Sequence, residues 1–274
     1  MTSIELKRRS IIYRKKILKY IVQAKAGHTG GSLSSTDILN VLYNEVLNVT
    51  PENFHSPDRD RYVQSKGHCV EALYVVLADK GFFPEEDLRT LCKYQSKYIG
   101  HPTKKVHGVE QNTGALGHGL PICVGMALAA KMDQKSYRVY TLMGDGELPE
   151  GSNWEAALSA AHYKLDNLCA IVDKNGLQIT APTHEVCNTD PLDKKWEAFG
   201  WAVKEVDGND VDALKAAFQS LPFEKGKPSL IIAKTTKGKG VSFMEHQLKW
   251  HHGVPSAEQY EQAITELDQA LNEL

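Results

Sequence analysis

Several things are scarce in this chain of 274 residues, and each scarcity removes a class of explanation. The five cysteines, at 69, 92, 123, 169 and 187, are odd in number, scattered, and form no Cys-x-x-Cys. That excludes a disulfide framework or a closely spaced zinc site, and is the usage expected of reduced thiols in the cytoplasm. No apolar run approaches the roughly 20 residues that cross a bilayer, so no membrane role is expected. Charge of one sign is lacking too: the formal net charge is −2, which argues against a general nucleic-acid binder. There is no internal repeat, low-complexity tract or long linker. What remains is the composition of an ordinary globular protein, 42% hydrophobic and 24% charged. A chain of this length can bury one large core or two small ones, and we read residues 1–274 as one domain.

The N-terminal stretch is basic, with Lys7, Arg8, Arg9, Arg14, Lys15, Lys16 and Lys19, while Ile11, Leu18 and Ile21 recur at helical spacing. A transit peptide or membrane-surface helix shares these traits. The pattern fits better a surface helix with a solvated basic face. It also runs directly into Gly27-His28-Thr29-Gly30-Gly31, a segment with its own chemistry.

Further on, strand-like and helix-like stretches alternate. Residues 139–143, 168–172 and 230–233 are short, continuous apolar runs, as parallel strands buried on both faces require. Residues 201–206 read as a fourth, less sheltered strand. Between them, residues 116–132 and 211–221 have helical periodicity, and so do Trp154, Leu158, Ala161 and Leu165 behind a capping box at Ser152 and Glu155. A second box, Ser256 with Gln259, opens a final helix carrying Tyr260, Ile264, Leu267 and Leu271 on one stripe. The alternation predicts an α/β fold, a doubly wound, mostly parallel sheet with helices on both faces. Residues 176–196, with Pro182 and Pro191, read as a long ordered loop of the kind that covers a ligand.

Two of the apolar runs end on polar groups. Asp145 lies in Met143-Gly144-Asp145-Gly146-Glu147, and Asn175 in Asp173-Lys174-Asn175-Gly176-Leu177. Ligands bind at the carboxyl ends of strands in such sheets. A carboxylate, an amide oxygen and a main-chain carbonyl there suit Mg²⁺ or Ca²⁺, and Mg²⁺ in particular completes its shell with phosphate oxygens and water. Gly-Asp-Gly alone is an ordinary turn signal. The whole arrangement of strand, Gly-Asp-Gly-Glu, helix, strand and Asp-x-Asn is far more specific and resembles the thiamine-diphosphate signature.

Other segments resemble the transketolase family in the same order along the chain: Ala26-Gly27-His28-Thr29-Gly30-Gly31, Ser65-Lys66-Gly67-His68, Gly100-His101-Pro102, and Asn112-Thr113-Gly114-Ala115-Leu116-Gly117-His118-Gly119. Lys237-Gly238-Lys239-Gly240 and Trp250-His251-His252-Gly253 complete the set. The resemblance covers nearly the whole chain. It implies thiamine diphosphate with Mg²⁺ (or Ca²⁺), held by the side chains of Asp145 and Asn175 and the carbonyl of Leu177. His68, Gly114, Leu116, Gly146, Asn175 and His252 are then expected along the cofactor. His28, His101 and His252 are expected to face the substrate and handle protons, for which imidazole is suited near neutral pH. Glu150 matches a glutamate that couples two active sites. Gly253 favours His252 over its neighbour His251, and His107, His162, His184 and His246 match no motif and read as structural. Gly238-Lys239-Gly240 lacks the phosphate-loop pattern and reads as a turn.

Two departures bear on the substrate: His118 stands where the family usually has glutamine, and Thr29-Gly30-Gly31-Ser32 replaces a proline-containing segment. The sequence ends one helix after His252-Gly253, whereas full-length transketolases continue into a pyrimidine-binding domain. The resemblance therefore implies the N-terminal subunit of a split transketolase, a transferase of two-carbon ketol units from a ketose or ketose phosphate to an aldose or aldose phosphate, with pentose phosphates the default donors and a sulfosugar, branched sugar or specialised metabolite left open. It also implies a C-terminal partner subunit with the pyrimidine-binding domain, in an α2β2 heterotetramer. The alternatives are a subunit of a deoxyxylulose-phosphate-synthase-like or 2-oxoacid-dehydrogenase-like enzyme, or a non-catalytic nucleotide-binding subunit.

Overall fold

The structure, a computed structural model, describes all 274 residues. Ten helices and seven strands alternate along it: α1 (Ser3–Ala24), α2 (Thr29–Ser34), α3 (Thr36–Val41), β1 (Arg61–Gln64), α4 (Val70–Asp79), α5 (Gly119–Met132), β2 (Val139–Gly144), α6 (Gly151–His162) and β3 (Leu168–Lys174), then β4 (Leu177–Gln178), β5 (Ala181–Pro182), α7 (Thr183–Val186), α8 (Leu192–Ala198), β6 (Ala202–Asp207), α9 (Val211–Gln219), β7 (Ser229–Lys234) and α10 (Ala257–Asn272). Five strands form one sheet in the order β1-β2-β3-β7-β6, and every pairing is parallel. β4 and β5 make a small antiparallel pair of their own, and with α7 and the first turn of α8 they take up much of the stretch 176–196 read as a loop.

The three continuous apolar runs became the middle of the sheet because each side chain finds a covered face. Tyr140, Leu142, Cys169, Ile171, Ile231 and Ala233 join the larger apolar cluster, with α1, α3, α4, α9 and α10. Their neighbours Val139, Met143, Leu168, Ala170, Val172, Leu230 and Ile232 join the smaller one, with α5, α6 and α8. This is the period-two alternation of a strand with core on both sides. β6 lies at the edge and is the more exposed strand, as its mixed sequence foretold. The other edge strand, β1, was not anticipated, because Arg61-Tyr62-Val63-Gln64 carries no apolar run.

Two local expectations are corrected. Ser152 does not cap α6; the helix begins at Gly151 with Glu150 before it and no side-chain cap. Its hydroxyl donates instead to the carbonyl of Gly117, 2.7 Å away, so a tertiary contact has taken the capping group. The basic face of α1 is not simply solvated either. Arg14 is buried against Asp37 of α3, and Arg9, Lys15 and Lys16 pair with Asp79, Asp268 and Glu85 from other elements. The second capping box is present, with Ser256 Oγ accepting from Gln259 N at 3.2 Å. No helix is long and apolar enough to cross a membrane.

Candidate active site

The carboxyl ends of β1, β2, β3 and β7 meet in one cleft of about 310 Å³. Its walls hold His28, Lys66, His68, Gly114, Leu116, Asp145, Gly146 and Glu150, together with Asn175, Leu177, Lys237 and His251. Nine of the residues singled out in the sequence therefore share one cavity: His28, His68, Gly114, Leu116, Asp145, Gly146, Glu150, Asn175 and Leu177. His101 and His252 are not part of that lining but adjoin it, with ring centroids 6.0 and 4.6 Å from that of His28. His118 is elsewhere, in a shallow groove between α5 and α6 beside Pro121, Ser152 and Glu155.

Asp145 follows β2 in a single tight turn, where its carboxylate is almost fully buried. One oxygen accepts from Gly146 N at 2.9 Å and the other from Gly176 N at 2.6 Å, which ties the ends of β2 and β3 together. Burial raises its pKa, the charge of Asp173 raises it further, and the two main-chain donors only partly oppose this, leaving it at about 6. No ammonium or guanidinium bonds to it directly. Asn175 Oδ1 accepts from Leu177 N at 3.2 Å, so its amide oxygen turns back into the same loop. The carbonyl of Leu177 already faces a cation, the Lys237 ammonium at 3.4 Å. One carboxylate without a cationic partner, one amide oxygen and one carbonyl make a hard-oxygen set. No group of three His, Cys, Asp or Glu side chains is placed to hold a metal. The set thus fits Mg²⁺ or Ca²⁺, which takes its other ligands from phosphate and water, and does not fit a soft metal.

Two buried lysines, which no sequence pattern marks as buried, set cations among the carboxylates of the floor. Lys66 and Asp173 form an ion pair with side chains 2% and 0% exposed. Burial opposes the ammonium charge, but the Asp173 carboxylate more than offsets it and holds the pKa above the ordinary value. Asp173 also accepts from Ser34 Oγ at 2.6 Å and from Thr235 Oγ1, and is held below the usual carboxylate range. Lys237 has no carboxylate. It meets His251 Nδ1 at 2.9 Å, and burial, followed by repulsion from Lys66, lowers its pKa. Both lysines sit inside family-like motifs, and only their burial distinguishes them from the surface lysines that dominate any sequence.

The histidines are packed edge to face around His28, with His68 at 5.2 Å and His251 at 5.6 Å besides the two already named. His251 also stacks on His68 at 5.4 Å. His251 lines the cleft itself, whereas His252 is exposed and meets the cleft through its ring contact with His28. Burial, then repulsion from neighbouring imidazoles and Lys237, lowers the His28 pKa to about 3, and burial with Lys237 lowers that of His251 to about 4. Burial also lowers His68 and His101. These rings are neutral near pH 7 and can accept protons or hydrogen bonds. Gly114, at φ +140°, is held against His101: a Cβ there would lie 2.6 Å from the ring, so only glycine permits this approach. His107 stacks on His55 and meets the Phe82 carbonyl at 3.1 Å, a structural position as expected.

A doubly wound parallel sheet whose strand ends combine a hard-oxygen set, buried lysines and neutral imidazoles is a cofactor-binding α/β domain built for a polyanionic ligand. The sequence matches the family described as "Transketolase, thiamine diphosphate binding domain" over residues 8–270. It is 51% identical over 261 residues to an apulose-4-phosphate transketolase subunit of Phocaeicola vulgatus, covering 95% of this chain and 93% of that one. It is 41% identical over 266 residues to the 6-deoxy-6-sulfo-D-fructose transketolase subunit SqwG of a Clostridium species, covering 97% of each. Among solved structures, the transketolase of Campylobacter jejuni superposes with a TM-score of 0.91 at 33% identity, covering 98% of this chain and 43% of that one. The chain thus spans less than half of that enzyme. The chain belongs to the transketolase family. It is the thiamine-diphosphate-binding, N-terminal subunit of a split transketolase, a transferase.

Proposed function

We propose that this chain supplies the diphosphate side of an active site shared with a partner subunit, which contributes the pyrimidine-binding domain. The pair moves a two-carbon ketol unit from a ketose phosphate to an aldose phosphate. The observation that carries this reading is the convergence of Asp145, Asn175, Leu177, two buried lysines and a ring of imidazoles in one cleft. Bound thiamine diphosphate supplies the nucleophilic carbon and stores the electron pair when the ketose bond breaks. The chain's own residues do the rest. Asp145, Asn175 and the Leu177 carbonyl hold Mg²⁺ (or Ca²⁺), with Lys66 and Lys237 adding positive charge for the diphosphate. His68, Gly114, Leu116 and Gly146 line the cofactor. His28 and His252 take and return protons at the donor's hydroxyls, and His101 holds its terminal hydroxyl. Glu150, whose Cβ lies against Gly117 at the cleft, is assigned the coupling of this active site to the neighbouring one.

An α2β2 assembly is supported by α5, whose outer side is as apolar as its inner one: Ile122, Gly125, Met126, Ala129 and Met132 are partly or wholly exposed. A helix apolar on all sides is normally covered. The names of relatives matched over nearly their full length, each called a subunit, support a partner chain. The five free cysteines, three of them buried, support a cytoplasmic enzyme.

The test mixes this chain with its pyrimidine-domain partner, thiamine diphosphate and Mg²⁺, and follows aldose-dependent ketol transfer. Apulose 4-phosphate, the sugar in the name of the 51%-identical relatives, is the first donor, with xylulose 5-phosphate and 6-deoxy-6-sulfofructose as comparisons. Transfer requires both chains; turnover by this chain alone refutes the shared site, and ATP binding without thiamine diphosphate binding refutes the cofactor.

A further inference from the structure

Glu147 follows Asp145 by two residues and is 1% exposed. Its carboxylate has no lysine or arginine partner in hydrogen-bonding contact. Instead it gathers donors from three separate segments. One oxygen accepts from Gly117 N at 2.9 Å and from the Ser65 hydroxyl; the other accepts from Gly144 N at 3.1 Å. Ser65 Oγ in turn accepts from Gly119 N at 3.1 Å. The Glu147 carbonyl takes a further bond from Asn153 Nδ2 at 3.0 Å, anchoring the turn to α6.

Each donor belongs to a segment that carries part of the cleft. Ser65 precedes Lys66 and His68 at the end of β1; Gly117 follows Gly114 and Leu116; Gly144 precedes Asp145 at the end of β2. The packing leaves little slack. A Cβ at Gly119 would fall 2.4 Å from Ser65, and one at Gly117, with φ +85°, 2.5 Å from Glu150 Cβ. A buried carboxylate that accepts several neutral N–H and O–H donors is a strong, directional tether, and losing it leaves those donors unsatisfied.

We propose that Glu147 is the positioning residue of the cofactor cleft: its carboxylate fastens the Ser65–His68 and Gly114–Gly119 segments to the end of β2, and so fixes the spacing of the groups around the diphosphate. Its cofactor arm rests on the function proposed above; the fastening itself does not. Supporting groups of this kind typically change ligand affinity by about 10–100-fold when altered.

The test compares Glu147→Gln with the unaltered full chain, each assembled with the pyrimidine-domain partner for the affinity measurement and alone for the exchange measurement. Glutamine keeps one acceptor oxygen but turns an NH₂ toward the donors of one loop. Two measurements separate positioning from bulk stability. The first is calorimetry with thiamine diphosphate and Mg²⁺, well below the unfolding temperature of both proteins. The second is residue-resolved amide exchange at Gly117, Gly119 and Gly144 without ligand. The expected result is affinity lower by about 10–100-fold with faster exchange at those three amides and unchanged exchange in β3 and β7. Ser65→Ala, which removes one link and keeps the carboxylate, is expected to give a smaller loss in the same direction. Unchanged affinity in folded Glu147→Gln overturns the proposal, as does a uniform rise in exchange across the sheet. If the unaltered chain assembled with its partner subunit binds no thiamine diphosphate, the function proposed above fails instead, and the exchange measurement still decides whether the fastening exists. Should Glu147→Gln not fold, Ser65→Ala carries the same two readouts.

Discussion

Arg14 with Asp37 and Lys66 with Asp173 are both buried ion pairs, with side chains 6%, 4%, 2% and 0% exposed, yet they serve different ends. The first is enclosed by protein and faces no cavity, with only Arg14 Nε left without a partner. Arg14 also donates to the Leu33 carbonyl at 3.3 Å, and Asp37 also accepts from Asn209 Nδ2 at 2.9 Å, so α1, α3 and the loop after β6 are pinned together. The second sits on the floor of a cleft, beside a second carboxylate, Asp145, and a second ammonium, Lys237. Burial of charge therefore does not mark function by itself. The mark is ionisable groups of both signs left facing a cavity without a direct partner after the nearest pair has been matched.

That contrast can be broken most forcefully at Asp145. Asp145→Ala is expected to lower transferase activity of the assembled enzyme by about 1000-fold or more, since a metal clamp on phosphate is worth several kcal/mol. Activity within tenfold of the unaltered enzyme would remove Asp145 from the metal site. Lys66→Met and Arg14→Met come next. Each leaves a buried carboxylate unmatched, at a cost of about 3–5 kcal/mol, readable by urea unfolding. Only Lys66→Met should also abolish cofactor binding. Replacing both members of a pair with apolar residues sharpens the point. Arg14→Met with Asp37→Leu is expected to regain stability and bind cofactor normally, whereas Lys66→Met with Asp173→Leu is expected to regain stability without regaining binding. Equal binding losses in the two sets would erase the distinction.

Glu71 extends the comparison to a carboxyl buried with no cation. It accepts from Ser32 Oγ at 2.8 Å and from His28 N at 3.3 Å, and burial, only partly opposed by these bonds, pushes its pKa from 4.5 up to about 7. Between these values the folded chain keeps a proton that the unfolded chain has released. Its contribution is thus full below about pH 4.5 and is lost as pH rises toward 7, by about 3 kcal/mol in all. Glu71→Gln should flatten that decline in urea-unfolding free energy measured from pH 5 to 8, and an unchanged slope would assign it to other groups. The smallest effect is expected at Lys237→Met. Loss of one charged contact to phosphate is worth about 1.5–3 kcal/mol, or about 10–100-fold in affinity, measured by titration with Mg²⁺ and thiamine diphosphate. No change there would leave Lys66 alone as the floor's cation.

The legible parts of this molecule were those with local signatures. β2, β3 and β7 were readable because strands covered on both faces must be continuously apolar, and the helix at Ser256 because its capping residues are neighbours in sequence. The ends of β2 and β3 were readable because glycines and turn residues bracket Asp145 and Asn175. β1 was missed because Arg61, Tyr62 and Gln64 depend on tertiary partners that its own four residues do not reveal. Lys66, Glu71, Glu147 and Lys237 were missed for a related reason. Each is a single charged residue whose burial is set by contacts far along the chain, as when Lys66 meets Asp173 across 107 positions. Ser152 shows the reverse error, where a sound local rule lost to a longer-range bond.

The sheet's connectivity also fixes an order of events when the chain folds. β2 and β3 are joined through one helix, but β1 must find β2 across residues 65–138, and β7 lies between β3 and β6. Widely separated parallel pairings slow folding because the closure entropy comes before the contacts that reward it. The strand that brings Lys66 and His68 to the floor is therefore expected to pair late. In refolding from denaturant, competence to capture the vitamin-derived ligand should lag behind the recovery of helical signal, and added ligand should trap the last step rather than hasten the first.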